Sequence, residues 1–203
     1  MQMLPSPMAR FAAALVALLA WTGLAVQLEA SIGLSGSVGG ALWAMLRFFT
    51  VLTNLLVALL FTAVAVGHRA SPLTLGGVTL AIMLVGIVYA TLLVGLVELS
   101  GGALLADFIL HRVTPALVPL WWLVFAAKGG IRRCDPLLWS LYPVGYFLYV
   151  IVRGALDGRY PYPFMDIGRI GWPQTALNVL AIAAGFVVGG YLLRWIDRRL
   201  ARD

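Results

Sequence analysis

The chain has 203 residues, of which 62% are hydrophobic and 11% charged, with a mean hydropathy of +0.98. Soluble domains carry about 25% charged residues, so this composition excludes that class and indicates a polytopic membrane protein. The net charge of +6 sits at the ends of apolar runs rather than on a polar face, which fits orientation in a bilayer and argues against a nucleic-acid partner.

The first apolar run, about 9–28, is longer than a signal-peptide core and reads as a retained helix. Glu29 and a Ser/Gly-rich stretch over 31–40 are expected to form a flexible loop. A second span is expected at about 44–66, closed by His68, Arg69 and the Ser71-Pro72 turn, and a third at about 73–97. The fourth, about 104–127, contains Pro115 and Pro119, which remove backbone donors and predict a kink or locally opened backbone. A basic loop with Lys128, Arg132 and Arg133 precedes the fifth span, about 136–153. The longest polar connection, 153–171, holds the aromatic run YPYPFMD from Tyr160 to Asp166, and a sixth span covers about 172–195. The expected architecture is therefore all-α: one domain, a six-helix transmembrane bundle. Counting lysine and arginine on alternate sides gives nine on the side of the termini and five on the other, so both termini are expected to be cytoplasmic. Cys134, the single cysteine, allows no intrachain disulfide and no cysteine metal cluster.

Polar residues interrupt two of these runs in register. Arg47, Thr50 and Asn54 (i, i+3, i+7) fall on one helical stripe, and Asp107, His111 and Thr114 (i, i+4, i+7) form a second. With this topology Thr50 lies about six residues, or roughly 9 Å, below the outer end of its span. His111, Asn178, Tyr149 and Arg153 occupy the same outer layer. Ionisable groups at membrane depth are costly and normally face a bundle interior or a wet cavity, so this layer is the candidate site. Bland roles compete: threonine bonding its own i−4 carbonyl, asparagine gluing helices, arginine snorkelling to the interface, Tyr149 packing in an aromatic belt. Neutral His111 is suited to act as a base, oriented by Asp107 one turn away. His68 lies at the opposite end of the bundle, so no metal site is expected, and no cofactor.

The motifs FFTVLTN at Phe48 to Asn54, HRVTP at His111 to Pro115, WSLYP at Trp139 to Pro143 and YPYPFMD, taken in this order along nearly the whole chain, resemble the androgen-induced six-helix membrane protein family. Characterised animal members are threonine hydrolases that cleave fatty acid esters of hydroxy fatty acids with a membrane threonine and a histidine. By motif these correspond to Thr50 and His111, with Thr53 as a neighbour that a shifted alignment would substitute. The resemblance thus implies an intramembrane lipid ester hydrolase without a cofactor, its partners being the bilayer and a fatty acid ester. The alanine-, arginine- and glycine-rich style of the chain is bacterial, which points to a bacterial cytoplasmic membrane.

Asn54, Asn178, Arg47 and Arg153 are all eligible oxyanion donors. Substrate is expected to enter sideways from the bilayer, its tails in an apolar tunnel between the spans, with YPYPFMD over the outer mouth and Asp166 anchoring Arg153 or Arg47. The rival class is a non-enzymatic lipid-binding or transport protein using the same polar cavity; it is weakened by the absence of matched, broken spans in the two halves.

Overall fold

A computed structural model describes residues 5–201. Among them are α1 (Pro7–Ser35), α2 (Val38–Met45), α3 (Phe49–Ala65), α4 (Pro72–Val88), α5 (Gly101–Phe108), α6 (Thr114–Phe125), α7 (Asp135–Trp139), α8 (Leu141–Asp157) and α9 (Ile167–Arg199). One π-turn, Tyr89–Leu93, prolongs α4, and a second, Ile109–Val113, joins α5 to α6. The described residues contain no strand. Five helical stretches are long and apolar enough to cross a membrane, and a sixth is counted if the bent pair α2–α3 is one span.

The helix starts follow local chemistry. Ser6 and Ser71 accept amide hydrogens from Ala9 and Thr74, each just ahead of a proline in the first turn, where its missing N–H costs nothing. The stretch over 31–40, expected to be a flexible loop, is largely helical. α1 runs on to Ser35 and stops at Gly36, whose φ of +71° suits glycine. Ser37 then caps α2 by accepting the Gly40 amide at 3.1 Å. The serines and glycines here supply caps rather than slack.

Span two differs from a straight helix over 44–66. The chain turns by 98° between α2 and α3, and Arg47 sits in that elbow, off the α3 stripe to which its spacing assigned it. Long-range bonds hold the bend. Tyr146 donates its hydroxyl to the Arg47 carbonyl at 2.8 Å, and Tyr149 donates to Leu46 O at 3.2 Å. The third helical stretch ends at Leu93 rather than 97, and the fifth reaches Asp157 rather than 153. The last one contains a non-helical Gly171 (φ +74°), which places its straight part from Trp172 onward, at the expected start of span six.

α1 packs along α3, α4 against α3 and α6, and α9 against α4 and α7. Val57, Ala58, Phe61, Val64, Ile82 and Val118 are essentially inaccessible and fill the half of the bundle away from the elbow. Contact there is close because small residues meet large ones. Gly76 and Gly77 lie under the Trp139 indole, which donates to Leu73 O at 2.8 Å. The leucines and valines left exposed on the outer faces of α1, α6, α8 and α9 are those a bilayer would cover.

Candidate active site

The centre of the polar layer is built by a backbone irregularity. Pro115 has no N–H to return to the preceding turn, and the chain accommodates it with the π-turn Ile109–Val113, where the Thr114 amide reaches Ile109 O. The Leu110 carbonyl is thereby left without a helical donor. It is taken by the Asn54 side-chain amide at 3.1 Å and the Thr114 hydroxyl at 3.3 Å. Thr114 also approaches Asn54 Oδ1 at 2.6 Å, and Asn54 donates again to Thr50 O at 2.9 Å. Asn54 and Thr114 are fully buried, so this cross-link sets the register of α3 against the π-turn. The opened backbone expected from Pro115 is thus where two helices are joined.

One turn nearer the elbow, the same register brings Thr50 Oγ1 to 3.1 Å from His111 Nε2. On the far side of the ring, Nδ1 meets two acceptors, Asp107 Oδ1 at 3.0 Å and the Asp107 carbonyl at 3.2 Å. Both require Nδ1 to carry the hydrogen, which leaves Nε2 free to accept the Thr50 proton. The Asp107 carboxylate is itself held: Tyr89 donates to Oδ2 at 2.6 Å, and Arg112 stands 3.5 Å from the same oxygen. The Tyr89 ring stacks on the imidazole at 4.3 Å between centroids, restraining its rotation. Thr53, the alternative threonine, faces away and bonds Tyr142 at 3.1 Å.

The remaining sequence candidates lie around this centre without touching it. Arg47 donates to Arg159 O at 2.9 Å and pairs with Asp157 at 2.5 Å. Arg153, only 3% exposed, bonds Tyr149 at 2.6 Å and the Trp43 carbonyl, and its guanidinium covers the Trp43 ring at 3.9 Å. Asp166 does not anchor either arginine. It caps α9 through the Arg169 amide at 3.2 Å, and Asp157, one turn from Arg153 on α8, takes the anchoring place. Asn178 likewise stays outside the Thr50–His111 centre and donates to Phe164 O at 2.9 Å.

Together these groups brace the 158–166 loop over the elbow. Tyr162 is the member of that loop that reaches inward: its hydroxyl oxygen accepts the Phe49 amide at 3.1 Å, one residue before Thr50. Tyr162, Tyr89 and Asp157 were not singled out from the sequence. Only Asp157 carried a local signal, its i+4 spacing from Arg153.

Two cavities meet at Thr50. The larger, about 690 Å³, is bounded by apolar Met45, Phe48 and Leu96 together with Asp107, His111 and Tyr162, and Gln27, Ser31, Asp166 and Arg169 add polar groups elsewhere on its wall. The smaller, about 40 Å³, is an apolar slot between Phe49, Val88, Phe147 and Ile182. The half of the bundle away from the elbow holds a separate cavity of about 520 Å³, bounded by Val64, Pro72, Leu75, Trp121 and Trp122, and Thr50 does not line it. The space beside the elbow is edged by the exposed Leu96, Val97 and Leu99 of the irregular segment.

No family model, no curated protein and no solved structure matches this chain.

Proposed function

We propose that the protein is an intramembrane threonine hydrolase of lipid esters, of the fatty acid ester of hydroxy fatty acid type. The observation that carries this reading is the line Thr50 Oγ1, His111 Nε2, His111 Nδ1, Asp107 Oδ1, with contacts of 3.1 and 3.0 Å, opening on a cavity of about 690 Å³. A threonine hydroxyl is a weak nucleophile unless a base stands within hydrogen-bond reach and a third group orients that base. In the proposed reaction Thr50 Oγ bonds to the ester carbonyl carbon, its proton passes to His111 Nε2, and the carbonyl π electrons move onto oxygen. Collapse of this intermediate breaks the bond to the alcohol oxygen, which leaves with the proton from His111. Water then adds to the acyl-threonine, His111 accepts and returns a proton in the same way, and a fatty acid and free Thr50 result. The stoichiometry is ester plus water to acid plus alcohol.

The resemblance in motif order to the androgen-induced six-helix membrane protein family supports the same reading. A long-chain ester gains about 0.8 kcal/mol per methylene on leaving water, so it is already dissolved in the bilayer, and lateral access past Leu96, Val97 and Leu99 suits it. A fluorophosphonate carrying a long alkyl chain is expected to form one adduct, located on Thr50 by mass spectrometry. An adduct elsewhere, or reversible binding with none, would favour a lipid-binding protein instead.

The accompanying topology is six spans in a bacterial cytoplasmic membrane, with both termini cytoplasmic, supported by the nine-to-five division of basic residues. In a Cys134→Ser background, an impermeant maleimide applied from outside is expected to label Arg159→Cys and not Arg199→Cys. The reverse pattern rules the orientation out.

A further inference from the structure

An ester hydrolase needs a donor for the oxygen that becomes negative when the nucleophile adds, and that donor acts best when held rigidly before reaction. Each donor nominated by sequence is already engaged. The Asn54 amide serves Thr50 O and Leu110 O, and Asn178 serves Phe164 O. Arg47 serves Arg159 O and Asp157, and Arg153 serves Tyr149 and Trp43 O. Diverting any of them would break an existing hydrogen bond, and for Asn54 and Arg153 it would unpair a buried group.

Tyr162 is differently placed. It is 9% exposed and lines both cavities that Thr50 lines. Its oxygen accepts the Phe49 amide at 3.1 Å, which occupies a lone pair and leaves the hydroxyl its own proton to donate, with the Thr50 and Tyr146 hydroxyls beside it. Burial pushes its pKa up, against the opposing pull of the adjacent Thr50 and Tyr146 hydroxyls, so it keeps its proton at neutral pH. The ring is fixed by parallel stacking on Phe164 at 5.2 Å and edge contact with Phe48 at 6.1 Å. The loop beneath it is pinned through Arg159 O by Arg47 and through Phe164 O by Asn178. This explains why those polar groups cluster near the site without reaching it.

We propose that the Tyr162 hydroxyl is the oxyanion donor of this site, hydrogen-bonding the negative oxygen formed when Thr50 adds to the ester carbonyl. The inference rests on the hydrolase reading. Its test compares wild-type protein with Tyr162→Phe, which keeps the ring packing, using a long-chain lipid ester, a trifluoromethyl ketone of the same chain length and the free fatty acid product. Loss of one oxyanion donor is expected to lower kcat by about 10²- to 10³-fold. Affinity for the ketone, which forms an oxyanion on Thr50, should fall in parallel, while affinity for the fatty acid is retained. Replacing Tyr162 by a ring-fluorinated tyrosine, a stronger donor of nearly the same shape, should tighten ketone binding; weaker binding would count against the proposal. If ketone and fatty acid affinities fall together in Tyr162→Phe, the residue is only structural and the proposal is overturned. Wild-type kcat in Tyr162→Phe, with activity still dependent on Thr50, overturns the proposal and leaves the hydrolase reading standing. A wild-type protein that hydrolyses no lipid ester and forms no ketone adduct ends both.

Discussion

Purified Thr50→Ala is expected to lose lipid ester hydrolysis by roughly 10³-fold or more, His111→Ala by a similar factor, and the double variant by no more than either alone. In the proposed reaction the two side chains act as one unit, because the hydroxyl is useful only while Nε2 stands 3.1 Å away to take its proton. Asp107→Asn should be milder. The His111 Nδ1 hydrogen is shared between the Asp107 carboxylate at 3.0 Å and the Asp107 main-chain carbonyl at 3.2 Å, and the second acceptor survives the substitution. The tautomer is therefore retained, and what disappears is one charge-assisted bond to the imidazolium formed during reaction. At about 1.5–3 kcal/mol for such a bond, the loss is roughly 10- to 150-fold in kcat. Steady-state kinetics in detergent or nanodiscs separate the two magnitudes. An Asp107→Asn protein as inactive as Thr50→Ala would show that the carbonyl does not hold the ring.

The second large effect is on stability. Asn54→Ala removes the side chain that joins the Thr50 carbonyl, the Leu110 carbonyl and the Thr114 hydroxyl, all of them buried. Leu110 O is already deprived of a backbone donor by the π-turn and Pro115, so it would depend on Thr114 alone. Leaving buried polar groups unmatched costs about 1–3 kcal/mol each, and the lost Asn volume adds to this. A total of about 2–4 kcal/mol is expected as a lower unfolding midpoint in detergent. Asn54→Asp should be as damaging, since it discards the donor and buries a charge. Activity should fall in both, because the register that aligns Thr50 with His111 is set one turn away. Unchanged stability in Asn54→Ala would mean that water takes over the freed groups.

Much of this arrangement was legible along the chain. Composition and apolar run length determine an all-helical membrane protein. The spacing of Thr50 and Asn54, and of Asp107, His111 and Thr114, determines which side chains share a face, because helical periodicity is a local property. Pro115 announced an irregular backbone near the second face. The helix caps over 31–40 are not legible in sequence, since serine and glycine serve loops and helix ends equally. Only the tertiary structure decided the rest. Arg47 leaves its stripe because Asp157 and the Arg159 carbonyl draw it into the elbow. Thr50 rather than Thr53 faces His111 because Asn54 and Thr114 set the register between α3 and the π-turn. Tyr89 and Tyr162 enter the site from elements with no sequence neighbour in it. Such contacts depend on the packing of whole helices, whose free energy is spread over many weak apolar interactions, and no short window of sequence contains it.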